Sequence, residues 1–146
     1  MTGKQPKRKP RPGVDRMGRS KLHYAAMEGN TAQVRELLSA GADAGLPDDN
    51  GWTPLHFAAQ EQRVDVAEIL LVAGTTVDAP DAHGNTPLFR AVFNSRGDGA
   101  LIQLLRKSGA DPYLKNKHDV SPVQLARTIA NYDIAQFFAD LPETVP

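Results

Sequence analysis

A spacing of 33 residues constrains this chain more than any other feature. "GWTPL" at 51–55 returns as "GNTPL" at 84–88, and "LLSAG" ending at Gly41 returns as "LLVAG" ending at Gly74. Stepping back 33 from Gly51 reaches Gly18, in "GRSKLHYAA". The next copy follows at 35: Gly74 maps to Gly109, and Thr86-Pro87 to Ser121-Pro122. The two extra residues fall within "FNSRGDG" at 93–99, a run rich in turn formers. The last copy, "SPVQLARTIANYDIAQFFA", stops before another Gly-Ala-Asp turn. Such a period marks a stack of repeats, because one unit cannot bury its apolar face alone and its neighbours supply the core.

Each copy carries two short apolar patterns at helical spacing. In the second they are Leu55, Ala58 and Ala59, then Val64, Val66, Ala67, Leu70 and Leu71. Gly29 separates the two patterns of the first copy, where a helix end favours left-handed backbone. Gln62 and Ala130 stand there in copies two and four, so those turns are expected to differ. A 33-residue unit with Thr-Pro-Leu-His, an Ala-Ala helix, a Leu-Leu helix and a Gly-Ala-Asp turn resembles the ankyrin repeat. The resemblance covers residues 17–142 as four units, about 17–49, 50–82, 83–117 and 118–142, with degenerate first and last members. It implies an all-α solenoid of stacked helix-turn-helix units joined by hairpin-like loops.

The Thr-Pro-Leu-His run admits a catalytic and an architectural reading. Thr53 precedes a helix, where its hydroxyl can cap free N–H groups for about 1 kcal/mol. Pro54 suits the first helical position, where its missing N–H is not needed. The resemblance implies that His56 ties one unit to the next. Equivalent positions hold Ser20 and His23 in copy one, Thr86, Pro87 and Phe89 in copy three, and Ser121, Pro122 and Gln124 in copy four. The cap is always a hydroxyl while the histidine varies, which favours structure over catalysis. No phosphate-loop or dinucleotide motif occurs, and the chain has no cysteine. No catalytic residue, cofactor, metal site or small-molecule substrate is therefore expected. Asp48-Asp49, in "LPDDNG", reads as a turn rather than a cation site.

Binding is then the expected work, on the concave surface that stacking creates. The resemblance implies partner contacts at hairpin residues and at the outer ends of the first helices. These positions are Arg19, Met27 and Glu28 in copy one, and Asp49, Asn50, Trp52, Gln60 and Glu61 in copy two. Copy three supplies Ala82, His83, Asn85, Phe93 and Asn94, and copy four Lys117 and His118. Trp52, the single tryptophan, is read as a surface residue beside the groove, either an anchor or packed along the hairpin row. His83 and His118 are read as exposed tip residues, too far apart at the usual 8–10 Å helix spacing to share a metal.

Charge supplies the remaining expectations. Residues 1–16 hold Lys4, Lys7, Arg8, Lys9, Arg11 and Arg16 against Asp15, a net of +5 in a chain whose formal charge is zero. With three prolines and little apolar surface, this basic tail is expected to be disordered. Asp43, Asp48, Asp49, Asp78 and Asp81 gather in the connections after copies one and two, so the groove is expected to be acidic and to suit a basic partner. Small bacterial immunity proteins that block a cognate toxin fit this description, as do general adaptors. Polyanion or nucleic-acid association through "KRKPR" is the competing reading. A cysteine-free chain with no apolar run of membrane-spanning length is expected in the cytoplasm, monomeric when free.

Overall fold

The computed structural model of the protein describes residues 11–142. Its helices are α1 (Lys21–Glu28), α2 (Thr31–Ser39), α3 (Pro54–Gln60), α4 (Val64–Val72), α5 (Pro87–Phe93), α6 (Ala100–Lys107) and α7 (Pro122–Thr128). A short 3-10 turn at Ala135–Phe138 closes the series. The first helices of the units stack in an inner row, α1 on α3, α3 on α5 and α5 on α7. The second helices, α2, α4 and α6, form an outer row behind them. Among the described residues no helix is long and apolar enough to cross a membrane.

The core follows the sequence period. Leu22, Leu55, Leu88 and Val123 fill one layer, and Ala25, Ala58, Ala91 and Ala126 another, all buried. Alanine at every turn of the inner row lets neighbouring helices approach closely, and the leucines fill the space between them and the outer row. Val34, Leu70 and Leu105 complete the contact from the outer helices.

The caps form as expected. Thr53, Thr86 and Ser121 each accept a hydrogen bond from the backbone N–H three residues on, at His56, Phe89 and Gln124. Pro54, Pro87 and Pro122 occupy the first helical positions behind them. The expected two-residue insertion lies in the segment 94–99 between α5 and α6.

Two features differ from the expectations, and the fourth unit agrees with them. Gln62 keeps the left-handed conformation of Gly29, at φ 56° against 73°. Its side chain explains why: Nε2 donates to the carbonyls of Ala59 at 3.0 Å and Ala91 at 3.2 Å, tying the turn to the next unit. The first unit is not degenerate in its helices, since both are present; it lacks only the proline, with Lys21 in that place. The fourth unit is, for α7 runs into extended backbone at Ile129 (φ −73°, ψ 115°) and the 3-10 turn replaces a second helix.

That short closure is held by Arg106, which grips Asp140 through two 2.8 Å bonds and donates to the Phe137 carbonyl at 2.8 Å. The Phe137 ring lies against buried Gly99, where an added Cβ would come within 2.2 Å of it. Gly99→Ala is therefore expected to displace the ring and lower the thermal midpoint by several degrees, about 2 kcal/mol of overpacking. A midpoint equal to that of the parent protein would show that the terminal turn contributes nothing.

Candidate binding surface

Four hairpins, one ahead of the first helix of each unit, share one construction. In each, the backbone N–H of the first residue bonds the carbonyl four residues on: Asp15 to Arg19, Asp48 to Trp52, Asp81 to Asn85, and Asn116 to Val120. The first side chain then turns inward and accepts two backbone N–H groups through one oxygen. Asp48 Oδ1 takes those of Asn50 (2.9 Å) and Trp52 (2.8 Å), and Asp81 Oδ1 those of His83 (2.8 Å) and Asn85 (2.9 Å). Asp15 and Asn116 repeat the pattern with Met17 and Arg19, and with His118 and Val120. These four residues recur at intervals of 33, 33 and 35, a signal present in the sequence but hidden among the other acids.

Successive hairpins are joined edge to edge by single backbone bonds. Asp49 donates to Met17, Ala82 to Asn50, and Lys117 to His83, at 2.8–2.9 Å. His23 and His56 add a second tie. His56 Nδ1 accepts the Thr53 N–H at 3.1 Å, which leaves the proton on Nε2; that N–H donates to the Asn85 carbonyl of the next hairpin at 2.9 Å. His23 makes the same bridge between Ser20 and Trp52, at 2.9 and 3.0 Å.

Both imidazoles are fully buried, and burial, opposed in part by the carbonyl bonds, holds their pKa below the ordinary value of 6.5. A histidine kept neutral by the fold contributes stability that is complete above the unfolded pKa and declines as pH falls below about 6.5. With two such groups the decline reaches at most about 2.7 kcal/mol per pH unit. Glutamine at both positions, the residue that caps the fourth unit at Gln124, is expected to flatten denaturation midpoints between about pH 5 and 6.5. An unchanged slope in that double variant would remove both histidines from the account.

The segment expected to be a disordered tail is partly built into this frame. Residues 11–16 form the start of the first hairpin, with Asp15 bonded to the Tyr24 hydroxyl. Arg11 reaches across to the second hairpin and holds Asp49 in a two-pronged ion pair at 2.8 and 2.9 Å. The folded unit therefore begins before residue 17; residues 1–10, with the rest of the basic tail, lie outside the described residues.

The expected acidic groove is corrected. Asp48 and Asp81 are buried, their carboxylates spent on hairpin N–H groups, and Asp49 is paired. Along the inner row, Arg19 and Arg90 lie over two touching rings, the buried Phe57 and the half-buried Trp52, in a short ladder. Arg19 lies 4.9 Å above Phe57 with Nε 3.2 Å from Asp48, and Arg90 lies 4.7 Å above Trp52 with Nη2 3.6 Å from Asp81. Trp52 and Phe57 touch at 4.9 Å between ring centres.

The other predicted positions divide. Trp52 is half-buried, not fully exposed, because its ring packs on Phe57 and beneath Arg90 rather than on Arg19 or Asn85. Asn85 is buried and leaves the candidate surface: its Oδ1 accepts from Asn116 at 2.8 Å, fastening the third hairpin to the fourth. Asn50, Ala82, His83, Lys117 and His118 are exposed at the hairpin tips, as is the paired Asp49. Met27, Gln60, Phe93 and Asn94 lie at the ends of the first helices, beside exposed Glu28 and Glu61; Phe93 is the most open, at 61%. His83 and His118 approach more closely than helix spacing implied, with rings stacked at 6.5 Å, since hairpin tips joined by a backbone bond are nearer than helix axes. Among the described residues no group of three histidines or acids could hold a metal ion.

Sequence reasoning missed Arg90, Phe57 and Tyr24. Tyr24, Phe57 and Arg90 sit at one repeat position, 33 residues apart, whose variation between copies was the available signal.

A stack of two-helix units presenting varied side chains on a fixed hairpin frame defines a repeat protein that works by binding other proteins. The chain belongs to the ankyrin-repeat family: the family described as "Ankyrin repeats (3 copies)" matches residues 22–116. Among curated proteins none matches the chain.

Proposed function

We propose that the protein binds its partner on the concave strip running from the hairpin tips to the ends of the first helices, with Trp52 and Phe93 as anchors. The observation that carries this reading is the half-buried Trp52 ring between Arg19 and Arg90, whose guanidinium edges remain partly open above the buried Phe57 ring. Aromatic and arginine side chains held rigidly are those that dominate interface energies. Phe93 sits apart from the ladder, exposed beside the 94–99 insertion, and serves no packing role that would account for its size.

Dedicated inhibition, in the manner of an immunity protein that blocks a toxin, is one form that such binding takes, and general adaptor function is the other. The basic toxin expected from the sequence does not suit a strip whose hairpin carboxylates are turned inward.

Alanine at Phe93 is expected to weaken partner binding at least about tenfold, with the thermal midpoint unchanged because the ring is exposed. Alanine at Trp52 is expected to weaken it by about 2 kcal/mol or more, with some loss of stability. Titration calorimetry beside thermal denaturation checks both. Full affinity in both variants, each still folded, would overturn the assignment.

A further inference from the structure

The ladder encloses a depression of about 360 Å³ lined by residues from five successive elements. Arg19 comes from the first hairpin, Asn50 and Trp52 from the second, Phe57 and Gln60 from α3, His83 from the third hairpin and Arg90 from α5. Arg19 is held by a hydrogen bond to buried Asp48 and by the Phe57 face, while Arg90 lies 3.6 Å from buried Asp81, without a hydrogen bond to it, and against the Trp52 face. Only about one fifth of each arginine side chain is exposed, 19% for Arg19 and 20% for Arg90. The carboxylates themselves are sealed, at 1% and 0%, so an approaching group meets cationic edges and not the acids that neutralise them.

A planar guanidinium held still loses little entropy when it bonds a second carboxylate, and an aromatic floor excludes water from that bond. Asn50 adds an amide donor at the rim, whereas the Gln60 amide already donates to the Glu61 carboxylate at 3.3 Å. Arg11 is bonded to Asp49 on the same hairpin as Trp52.

We infer that this depression is a carboxylate-recognition site, taking a glutamate or aspartate side chain from an acidic segment of the partner. The inference rests on the concave strip being the partner-binding face and names the chemistry that the face selects.

Trp52, as the single tryptophan, supplies the reporter. A peptide of about eight glutamates titrated into the full chain is expected to change Trp52 fluorescence saturably, and its glutamine counterpart is not. Asn50→Glu with Gln60→Glu places repelling charges at the rim and leaves both buried ion pairs untouched. That double variant is expected to bind the peptide at least about tenfold more weakly, with its thermal midpoint retained. The charge-keeping Arg19→Lys is expected to lose about fivefold, because the planar fork is lost.

No fluorescence change with the glutamate peptide, or equal binding by the Asn50→Glu, Gln60→Glu variant, would overturn the site. A thymidine oligonucleotide that competes through Trp52 more strongly than the peptide would overturn it in favour of a nucleic-acid surface. Should Trp52→Ala and Phe93→Ala abolish binding of the natural partner while the acidic peptide fails to bind, the concave-face reading survives and the carboxylate site does not.

Discussion

Replacing Asp81 with alanine is expected to destabilise the protein by about 3 kcal/mol, the largest effect of any single side-chain truncation in the hairpins. Two backbone N–H groups, those of His83 and Asn85, lose their acceptor inside the fold. Arg90 loses the carboxylate 3.6 Å away and is left over the Trp52 ring with its charge uncompensated. Asparagine offers an internal control, because Asn116 performs the same double acceptance in the fourth hairpin. Asp81→Asn keeps the acceptor but sets an amide donor or its equal against Arg90, and is expected to cost about 1–2 kcal/mol. Chemical denaturation of the two variants separates the hydrogen bonds from the ion pair. Equal losses in both would mean that the ion pair, and not the hairpin bonds, holds this turn.

Gly51→Ala is expected to cost a similar amount, about 3 kcal/mol, for two reasons that add. Gly51 sits at φ +78°, where a side chain costs about 1 kcal/mol. The new methyl would also lie 2.9 Å from Asp81 Cα and 3.0 Å from the Ala82 nitrogen, so the third hairpin must retreat from the second. That retreat breaks the 2.8 Å bond from Ala82 N–H to the Asn50 carbonyl. The last hairpin shows the counterpart. Asp119 takes the equivalent place at φ +64°, exposed, with its carboxylate paired to Lys115. Asp119→Gly is therefore expected to be neutral or to stabilise by about 0.5–1 kcal/mol. A Gly51→Ala variant as stable as the parent would show that the hairpins are not in registered contact.

These two sites also show what the sequence disclosed and what it withheld. The period, the caps at Thr53, Thr86 and Ser121, and the leucine and alanine layers were legible, because each reflects a local rule repeated in several copies. The hairpin acids were not, since an aspartate reads as surface charge until its partners are known. Asp48 and Asp81 belong to the turn geometry, and counting them as groove charge overstated the acidity of the surface. Trp52 and Asn85 were displaced from the expected exposed row for the same reason. Their neighbours come from farther along the chain, Arg90 from the following unit and Asn116 from the following hairpin, 38 and 31 residues on. Residues 11–16 appeared featureless by composition, yet Arg11 and Asp15 find partners at Asp49 and Tyr24 that no composition argument could supply. Gln62 shows the opposite case, where a side-chain bond to the next unit holds a left-handed turn that sequence alone assigns to glycine.

The most direct test of the binding face is site-specific photo-crosslinking in extracts of the source cells. A photoreactive side chain at Asn50, exposed on the second hairpin, is compared with one at Glu68, exposed on the outer helix α4. The account predicts one partner captured from position 50, lost when Phe93 or Trp52 is changed to alanine, and absent from position 68. Capture of that same partner from position 68 and not from position 50 would place the binding face on the outer helices and contradict it.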